Sequence, residues 1–255
     1  MHGLGNDFVI IDGRTQAVAM TQPLARAIAD RRTGIGCDQL ILLEPSDTAD
    51  VRMRIFNADG SEVEACGNAA RCVTSLLGDT VTIDTSGGRI SGSLDGNSAT
   101  LDMGEAEFDW DKIPLGYAMD TLAMPVGWEE LENPCAVNVG NPHVIFFVDN
   151  ASVIELERLG PLIETDPLFP ERVNVNVATI EADQSITLRV WERGAGLTRA
   201  CGTGACATTV AAIRRKLVNG ETIVHLPGGD LRVSWSPGGT IQMTGPATHV
   251  FSGEF

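Results

Sequence analysis

One unit is written twice in this 255-residue chain, and that duplication constrains the fold more than any other feature. Ala65-Cys66-Gly67-Asn68-Ala69-Ala70 returns as Ala200-Cys201-Gly202-Thr203-Gly204-Ala205, an offset of 135 residues. The same offset relates Gly5-Asn6 to Gly140-Asn141, Val9-Ile10 to Val144-Ile145, and Arg54-Ile55-Phe56 to Arg189-Val190-Trp191. With a slightly larger offset, Ser86-Gly87-Gly88 answers Pro227-Gly228-Gly229 and Leu101-Asp102-Met103 answers Ile241-Gln242-Met243. Two pseudo-symmetric domains are therefore expected, in line with a length that accommodates two cores. The break is expected between Trp110 and Gly127, where Pro114, Gly116, Pro125 and Gly127 interrupt any periodicity. That puts the halves at residues 1–114 and 115–255, with the last strand able to pack on the first half.

Each half alternates short strand patterns with one long helical segment. Strands are expected at Phe8–Asp12, Leu40–Leu43, Val51–Phe56, Val81–Asp84, Arg89–Leu94 and Ala99–Met103. Thr21 and Pro23 mark the start of a helix running to Arg31. A second helix is expected from Cys66 to Leu77, stopped by Gly78. The second half repeats the order, with strands at Val144–Val148, Ser185–Trp191, Thr222–Leu226, Leu231–Trp235 and Thr240–Met243. Its helix runs over Gly202–Val218 and is closed by Asn219-Gly220. The fold class is α+β, each half a barrel-like mixed β-sheet around a central helix. Those helices read as apolar around their whole circumference, so their bodies belong to the core and only their first turns are candidate sites.

Composition removes several function classes. The formal net charge of −16 opposes a nucleic-acid backbone or an anionic lipid surface as partner. No apolar run is long enough to span a bilayer, and Met1 to Asp7 lack a basic start and an apolar core, so a cytoplasmic location is expected. Cysteines at 37, 66, 72, 135, 201 and 206 include no CxxC, and no HxxxH occurs, so neither a metal site nor a disulfide framework is expected. A pyridoxal cofactor needs a Schiff-base lysine, and the chain has only Lys112 and Lys216, neither near a helix start. No cofactor is expected.

The two helix starts carry the chemistry. A helix N-terminus presents unpaired N–H groups and a partial positive charge, which bind a carboxylate and favour a thiolate. Gly67 and Gly202 leave the backbone next to each sulfur open to a ligand. A lone cysteine in such a protein is more often an inert core residue. Two at repeat-equivalent positions point instead to a shared site on the approximate twofold, where one sulfur removes a proton from a carbon and the other returns one. Cys37, Cys72, Cys135 and Cys206 have no repeat partner and read as structural.

Together, Gly3-Leu-Gly-Asn-Asp-Phe8, Arg54-Ile-Phe-Asn-Ala-Asp-Gly60, Ala65-Cys-Gly-Asn-Ala-Ala-Arg71, Gly140-Asn-Pro-His143, Glu192-Arg-Gly-Ala-Gly196 and Ala200-Cys-Gly-Thr-Gly-Ala205 resemble diaminopimelate epimerases over essentially the whole chain. The resemblance implies pyridoxal-independent interconversion of LL- and meso-diaminopimelate, in lysine and peptidoglycan precursor synthesis. It makes Cys66 and Cys201 the acid–base pair, with His143 and Glu192 tuning which sulfur is ionised. It places substrate contacts on Asn6, Gln39, Asn57, Asn141, Asn174, Glu192 and Arg193, with the amides of Gly67-Asn68 and Gly202-Thr203 on the reacting carboxylate. Arg193 anchors the distal carboxylate. Family members can dimerise, which leaves a homodimer open. The chain opens directly on Met1-His2-Gly3, so a short first strand is expected.

The repeat sharpens this carry-over: Asn6 is equivalent to Asn141, Gln39 to Asn174 and Asn57 to Glu192, whereas Ala58 stands opposite Arg193 and Phe8 opposite His143. The rival readings are a proline or hydroxyproline racemase of the same fold, a cysteine hydrolase using Cys66 and His143, and a thiol redox protein. The hydrolase leaves the second cysteine and the repeat without a purpose, and a redox protein would show no α-proton exchange.

Overall fold

The computed structural model describes residues 1–96 and 98–254. It forms two compact units, one of residues 1–102 together with the C-terminal residues from Thr244, the other Met103–Met243. The first division thus falls ahead of the 110–127 stretch, and the chain re-enters the first unit at Thr244.

The first unit runs β1 (His2–Gly3), β2 (Asn6–Asp12), α1 (Gln22–Ala29), β3 (Gln39–Glu44), β4 (Val51–Asn57), β5 (Glu62–Val63), α2 (Gly67–Leu77), β6 (Thr80–Thr85), β7 (Gly88–Asp95) and β8 (Ser98–Asp102). The second runs β9 (Gly127–Trp128), β10 (Leu131–Glu132), β11 (Cys135–Asn138), β12 (Pro142–Phe147), α3 (Leu156–Glu164), β13 (Asn174–Ile180), β14 (Ile186–Glu192), β15 (Gly196–Thr198), α4 (Gly202–Arg214), β16 (Glu221–Leu226) and β17 (Gly229–Ser234). A last strand, β18 (Gln242–Pro246), carries the chain across the division. Strand order is β1-β2-β3-β4-β6-β7-β8 in the first unit and β17-β16-β14-β13-β12-β11 in the second.

The duplication holds down to strand register. Phe8 pairs with Gln39 across parallel β2 and β3, and His143 pairs with Asn174 across parallel β12 and β13. Leu40 faces Phe56 and Val175 faces Trp191 in the antiparallel pairs that follow. Ile55 opposite Val63 is matched by Val190 opposite Thr198. A one-residue slip would turn every side chain to the other face, so equal registers put equivalent residues in equivalent surroundings.

In each unit one face of the sheet packs on the central helix and the other is covered by a shorter one. Helix α2 lies against β1, β6, β7 and β8, and α4 against β11, β12, β13, β14, β16 and β17. Outside, α1 covers β3 and β4 with Ala25, Ile28 and Ala29, capped by Thr21, whose Oγ1 accepts from the Leu24 N–H at 3.4 Å. Its counterpart α3 places Leu156, Leu159 and Ile163 over β13 and β14, where Gly160 seats against the Trp191 indole with no room for a Cβ.

Three expectations need correction. Helix α4 ends at Arg214, short of Val218: Lys216 adopts a left-handed conformation (φ 59°), and its N–H and that of Leu217 close on Ile213 O and Ala212 O, both at 2.9 Å. That is a Schellman stop made without the glycine that would signal it. Helix α2 is not apolar all round, because Arg71 is fully buried while Leu76 is 46% exposed. The last strand begins at Gln242 rather than Thr240, since the turn before it is held by Gly239 N–H on Ser236 O and Trp235 Nε1–H on Gly239 O. Among the described residues no helix is long and apolar enough to cross a membrane.

Candidate active site

Both central helices begin on the residue after a cysteine. Cys66 is the N-cap of α2 (φ −151°, ψ 110°) and Cys201 that of α4 (φ −125°, ψ 108°). An extended cap followed by glycine leaves the first amides of the helix facing the sulfur. At Cys201 that potential is used: Gly204 N–H donates to its Sγ at 3.4 Å. The Cys66 side chain makes no such cap bond and instead points its thiol at Asn6 Oδ1, 3.9 Å away.

The first unit gathers Asn6, Asn68 and Cys66. Asn68 Nδ2 donates to Asn6 Oδ1 at 3.3 Å, and Asn6 Nδ2 donates to Asp38 Oδ2 at 3.1 Å. Asn68 is turned this way by Arg71, whose Nη2 donates to Asn68 Oδ1 at 2.8 Å from within the helix. Asp38 is fixed in turn by Arg31, which also clamps Asp7 and holds the Asp7 carboxyl below the usual carboxylate range. Gln39 and Asn57 form a second pair, Gln39 Nε2 donating to Asn57 Oδ1 at 3.0 Å and Asn57 Nδ2 to Ser61 Oγ at 3.1 Å. Gln39 Oε1 is buried with no hydrogen-bond partner, an acceptor of the kind a ligand ammonium satisfies.

The second unit gathers His143, Asn141, Thr203 and Cys201 into one chain. His143 Nε2 contacts Asn141 Oδ1 at 2.9 Å, Asn141 Nδ2 donates to Thr203 Oγ1 at 3.3 Å, and Thr203 Oγ1 stands 3.5 Å from Cys201 Sγ. Cys201 is only 3% exposed, and its thiol is pushed well above the ordinary value, first by burial and then by the negative charge of Glu192. Hydrogen bonds from Thr203 and Gly204 pull the other way. Glu192 Oε1 is itself held by Thr198 Oγ1 at 2.5 Å. Burial takes His143 down to about 3, so its ring is neutral.

Asn174 is occupied at both ends by backbone, Nδ2 on Pro142 O at 2.8 Å and Oδ1 accepting Arg193 N–H at 2.9 Å. Its observed part is to fix the turn that presents Arg193. The Arg193 side chain is exposed, with Nη1 donating to Glu171 O at 3.1 Å. Gly202 does not simply open space for a ligand, because a Cβ there would stand 3.0 Å from Met243 Sδ. Cys72 and Cys135 are buried, which raises their thiols to about 12 and about 11. Cys37 is likewise raised by burial.

Two fully buried polar residues in these networks, Arg71 and Asn176, were not among the expected site residues. Arg71 lies inside a helix whose residue pattern reads as apolar all round. Asn176 sits two residues after Asn174 on the same face of β13, and its Nδ2 lies 3.1 Å from His143 Nδ1. The signal was an asparagine alternating with valine in a strand that is otherwise core.

The model of the diaminopimelate epimerase family matches residues 1–108 and 135–250. The chain belongs to that family. A diaminopimelate epimerase of Rhizorhabdus wittichii is 66% identical over 255 residues, spanning all of this chain and 93% of that protein. Among solved structures, a Bacillus anthracis phenazine biosynthesis protein of the PhzF family superposes with a TM-score of 0.67 at 17% identity, covering 96% of this chain and 92% of that one. A hydroxyproline epimerase from Agrobacterium vitis, with trans-4-hydroxy-L-proline bound, gives 0.64 at 16%, covering 96% and 86%. These two share the α+β fold while bearing different names, so the fold alone does not choose the substrate; family membership rests on the sequence matches.

Proposed function

We propose that the protein is an isomerase that epimerises LL-2,6-diaminopimelate to the meso form in lysine biosynthesis, using Cys66 and Cys201 as its two bases without pyridoxal. One thiolate takes the α-proton and becomes a thiol; the opposite thiol delivers its proton to the other face of the carbon and becomes a thiolate. The exchange is redox-neutral, and the sulfurs trade roles on reversal. The carbanionic α-carbon and its carboxylate are held by the first amides of α2 and α4, at Gly67-Asn68 and Gly202-Thr203, where the helix dipoles oppose the added charge.

The observation that carries this reading is a pair of repeat-equivalent N-cap cysteines in unlike polar surroundings. Burial and Glu192 keep Cys201 as the thiol, the acid of the resting enzyme. Gly204 N–H and Thr203 then hold the thiolate it leaves. Asn6, Gln39, Asn57, Asn141 and Asn174 frame the ligand or its contacts, and Arg193 takes the distal carboxylate through charge-assisted hydrogen bonds. Shorter amino acids leave these groups unpaired and are poor substrates. A cytoplasmic location belongs to the same reading, supported by cysteine spacing that serves no disulfide framework.

Incubation with LL-diaminopimelate in deuterated water tests it. Deuterium enters the inverted α-carbon as the meso form appears; no label at that carbon would remove the proposal.

A further inference from the structure

Asn176 is fully buried in β13, and its amide can be oriented from its neighbours. Nδ2 faces two backbone carbonyls, Val144 O at 3.0 Å and Asn174 O at 3.3 Å, and lies 3.1 Å from His143 Nδ1. Turned over, the amide would set its carbonyl oxygen against both backbone carbonyls, so the orientation is decided by chemistry. Oδ1 then faces α4, only 2.7 Å from where a Cβ on Gly204 would lie, and it has no hydrogen-bond partner.

That orientation propagates. With an amide N–H aimed at Nδ1, a ring proton there would oppose a donor, so the proton of neutral His143 belongs on Nε2. Nε2–H donates to Asn141 Oδ1 at 2.9 Å, which turns Asn141 Nδ2 toward Thr203 Oγ1 at 3.3 Å. Thr203 Oγ1 accepts that bond, leaving its own hydrogen for Cys201 Sγ at 3.5 Å. Every link donates in the same direction, toward the sulfur.

The repeat gives independent support. The first-half equivalents of His143, Asn176 and Gly204 are Phe8, Ile41 and Ala69, three buried apolar residues. The second half differs at all three, with a polar pair and the glycine that makes room for the Asn176 carbonyl.

We infer that Asn176 is a positioning residue for Cys201: it fixes His143 as the Nε2–H tautomer and so sets the direction of a donor chain that stabilises the Cys201 thiolate. The inference rests on the reading of Cys201 as an acid–base group. The thiolate exists only after Cys201 has given up its proton, so the chain lowers the barrier to turnover while leaving ground-state binding unchanged.

The test uses the full chain labelled with 15N-histidine, alongside steady-state kinetics on diaminopimelate. Wild type should show a single neutral Nε2–H tautomer for His143. Asn176→Leu, close in volume and unable to donate, should lose that single tautomer and lower kcat by about tenfold, the effect of one hydrogen bond to a charged group, with KM little changed. Thr203→Val should lower kcat similarly and Thr203→Ser restore it, which keeps the chain testable if Asn176→Leu folds poorly. A wild-type Nδ1–H tautomer, an unchanged kcat in Asn176→Leu or Thr203→Val, or a loss confined to KM would overturn the inference. The tautomer is read without substrate. Failure of α-proton exchange in wild type would therefore sink the epimerase reading while leaving the tautomer result to stand or fall separately.

Discussion

The two helix starts share sequence, cap geometry and strand register, yet they orient their site amides from opposite directions. In the first unit the orienting group comes from inside the helix: Arg71 turns Asn68, which donates to Asn6, whose carbonyl oxygen faces the Cys66 thiol. In the second it comes from the sheet: Asn176 and His143 turn Asn141, which donates to Thr203 and so toward Cys201. The residue equivalent to Arg71 is Cys206, and the residues equivalent to His143 and Asn176 are Phe8 and Ile41. One half presents its sulfur with an acceptor and the other with donors. Duplication supplied the scaffold, and a few buried differences between the halves give the sulfurs different hydrogen-bond partners.

The most severe way to break this comparison is to remove either sulfur. Cys66→Ala and Cys201→Ala should each lower epimerisation by about 10²- to 10⁴-fold, because each direction needs an acid as well as a base. Cys72→Ala and Cys206→Ala, in the buried bodies of the same helices, should affect stability and leave turnover intact. Wild-type turnover in Cys66→Ala, with activity lost in Cys72→Ala, would show that repeat equivalence does not mark the working cysteines.

Next in size is a difference outside the helices, Arg193 in the second half against Ala58 in the first. Arg193→Met should raise KM by about ten- to a hundredfold, the loss of a charge-assisted anchor, and leave the alkylation rate of Cys66 unchanged. If KM stays at its wild-type value, the distal carboxylate is held elsewhere and the asymmetry lies only at the sulfurs.

Gly204 and its equivalent Ala69 sharpen the comparison at the level of packing. Gly204→Ala drives a Cβ to within 2.7 Å of Asn176 Oδ1, and should destabilise the fold by about 1–3 kcal/mol in chemical denaturation. Ala69→Gly meets no such obstacle and should cost about 1 kcal/mol, the helix-propensity difference. Equal losses would mean that the Asn176 carbonyl yields freely and does not dictate the glycine.

These asymmetries also explain what was legible in the sequence. The duplication, the two helix starts and most strands could be read because they rest on local pattern: glycine after cysteine, apolar alternation and Thr21 at a cap. Register equivalence followed because the offset stays at 135 from Gly5 through Trp191. The buried polar residues were illegible for a physical reason. Arg71 and Asn176 earn their positions through partners far along the chain or on a neighbouring strand, Pro246 O in one case and Val144 O in the other. Period counting treats such residues as noise on an apolar face. The end of α4 was missed because Lys216 takes the left-handed position that glycine usually marks. Asn174, expected to meet substrate directly, spends both ends of its amide on backbone, which only the folded register reveals.

The last difference concerns the acid stability contributed by His143, which has no counterpart at Phe8 in the first half. His143 titrates near 3 in the folded protein against an ordinary value of 6.5, chiefly because burial disfavours its charged form. The unfolded chain therefore binds a proton there that the folded chain does not, at any pH between those values. The stabilisation is fully present above about 6.5 and is lost progressively as pH falls toward 3, at up to about 1.4 kcal/mol per pH unit. His143→Phe, which copies Phe8 of the first half, removes that titration while the carboxylates titrate as before. Denaturation midpoints measured from pH 7 to pH 4 should fall less steeply for His143→Phe than for wild type, whatever the offset between the two at pH 7. Parallel curves would show that the ring accepts its proton in the folded state, contradicting the neutral histidine at the head of the chain to Cys201.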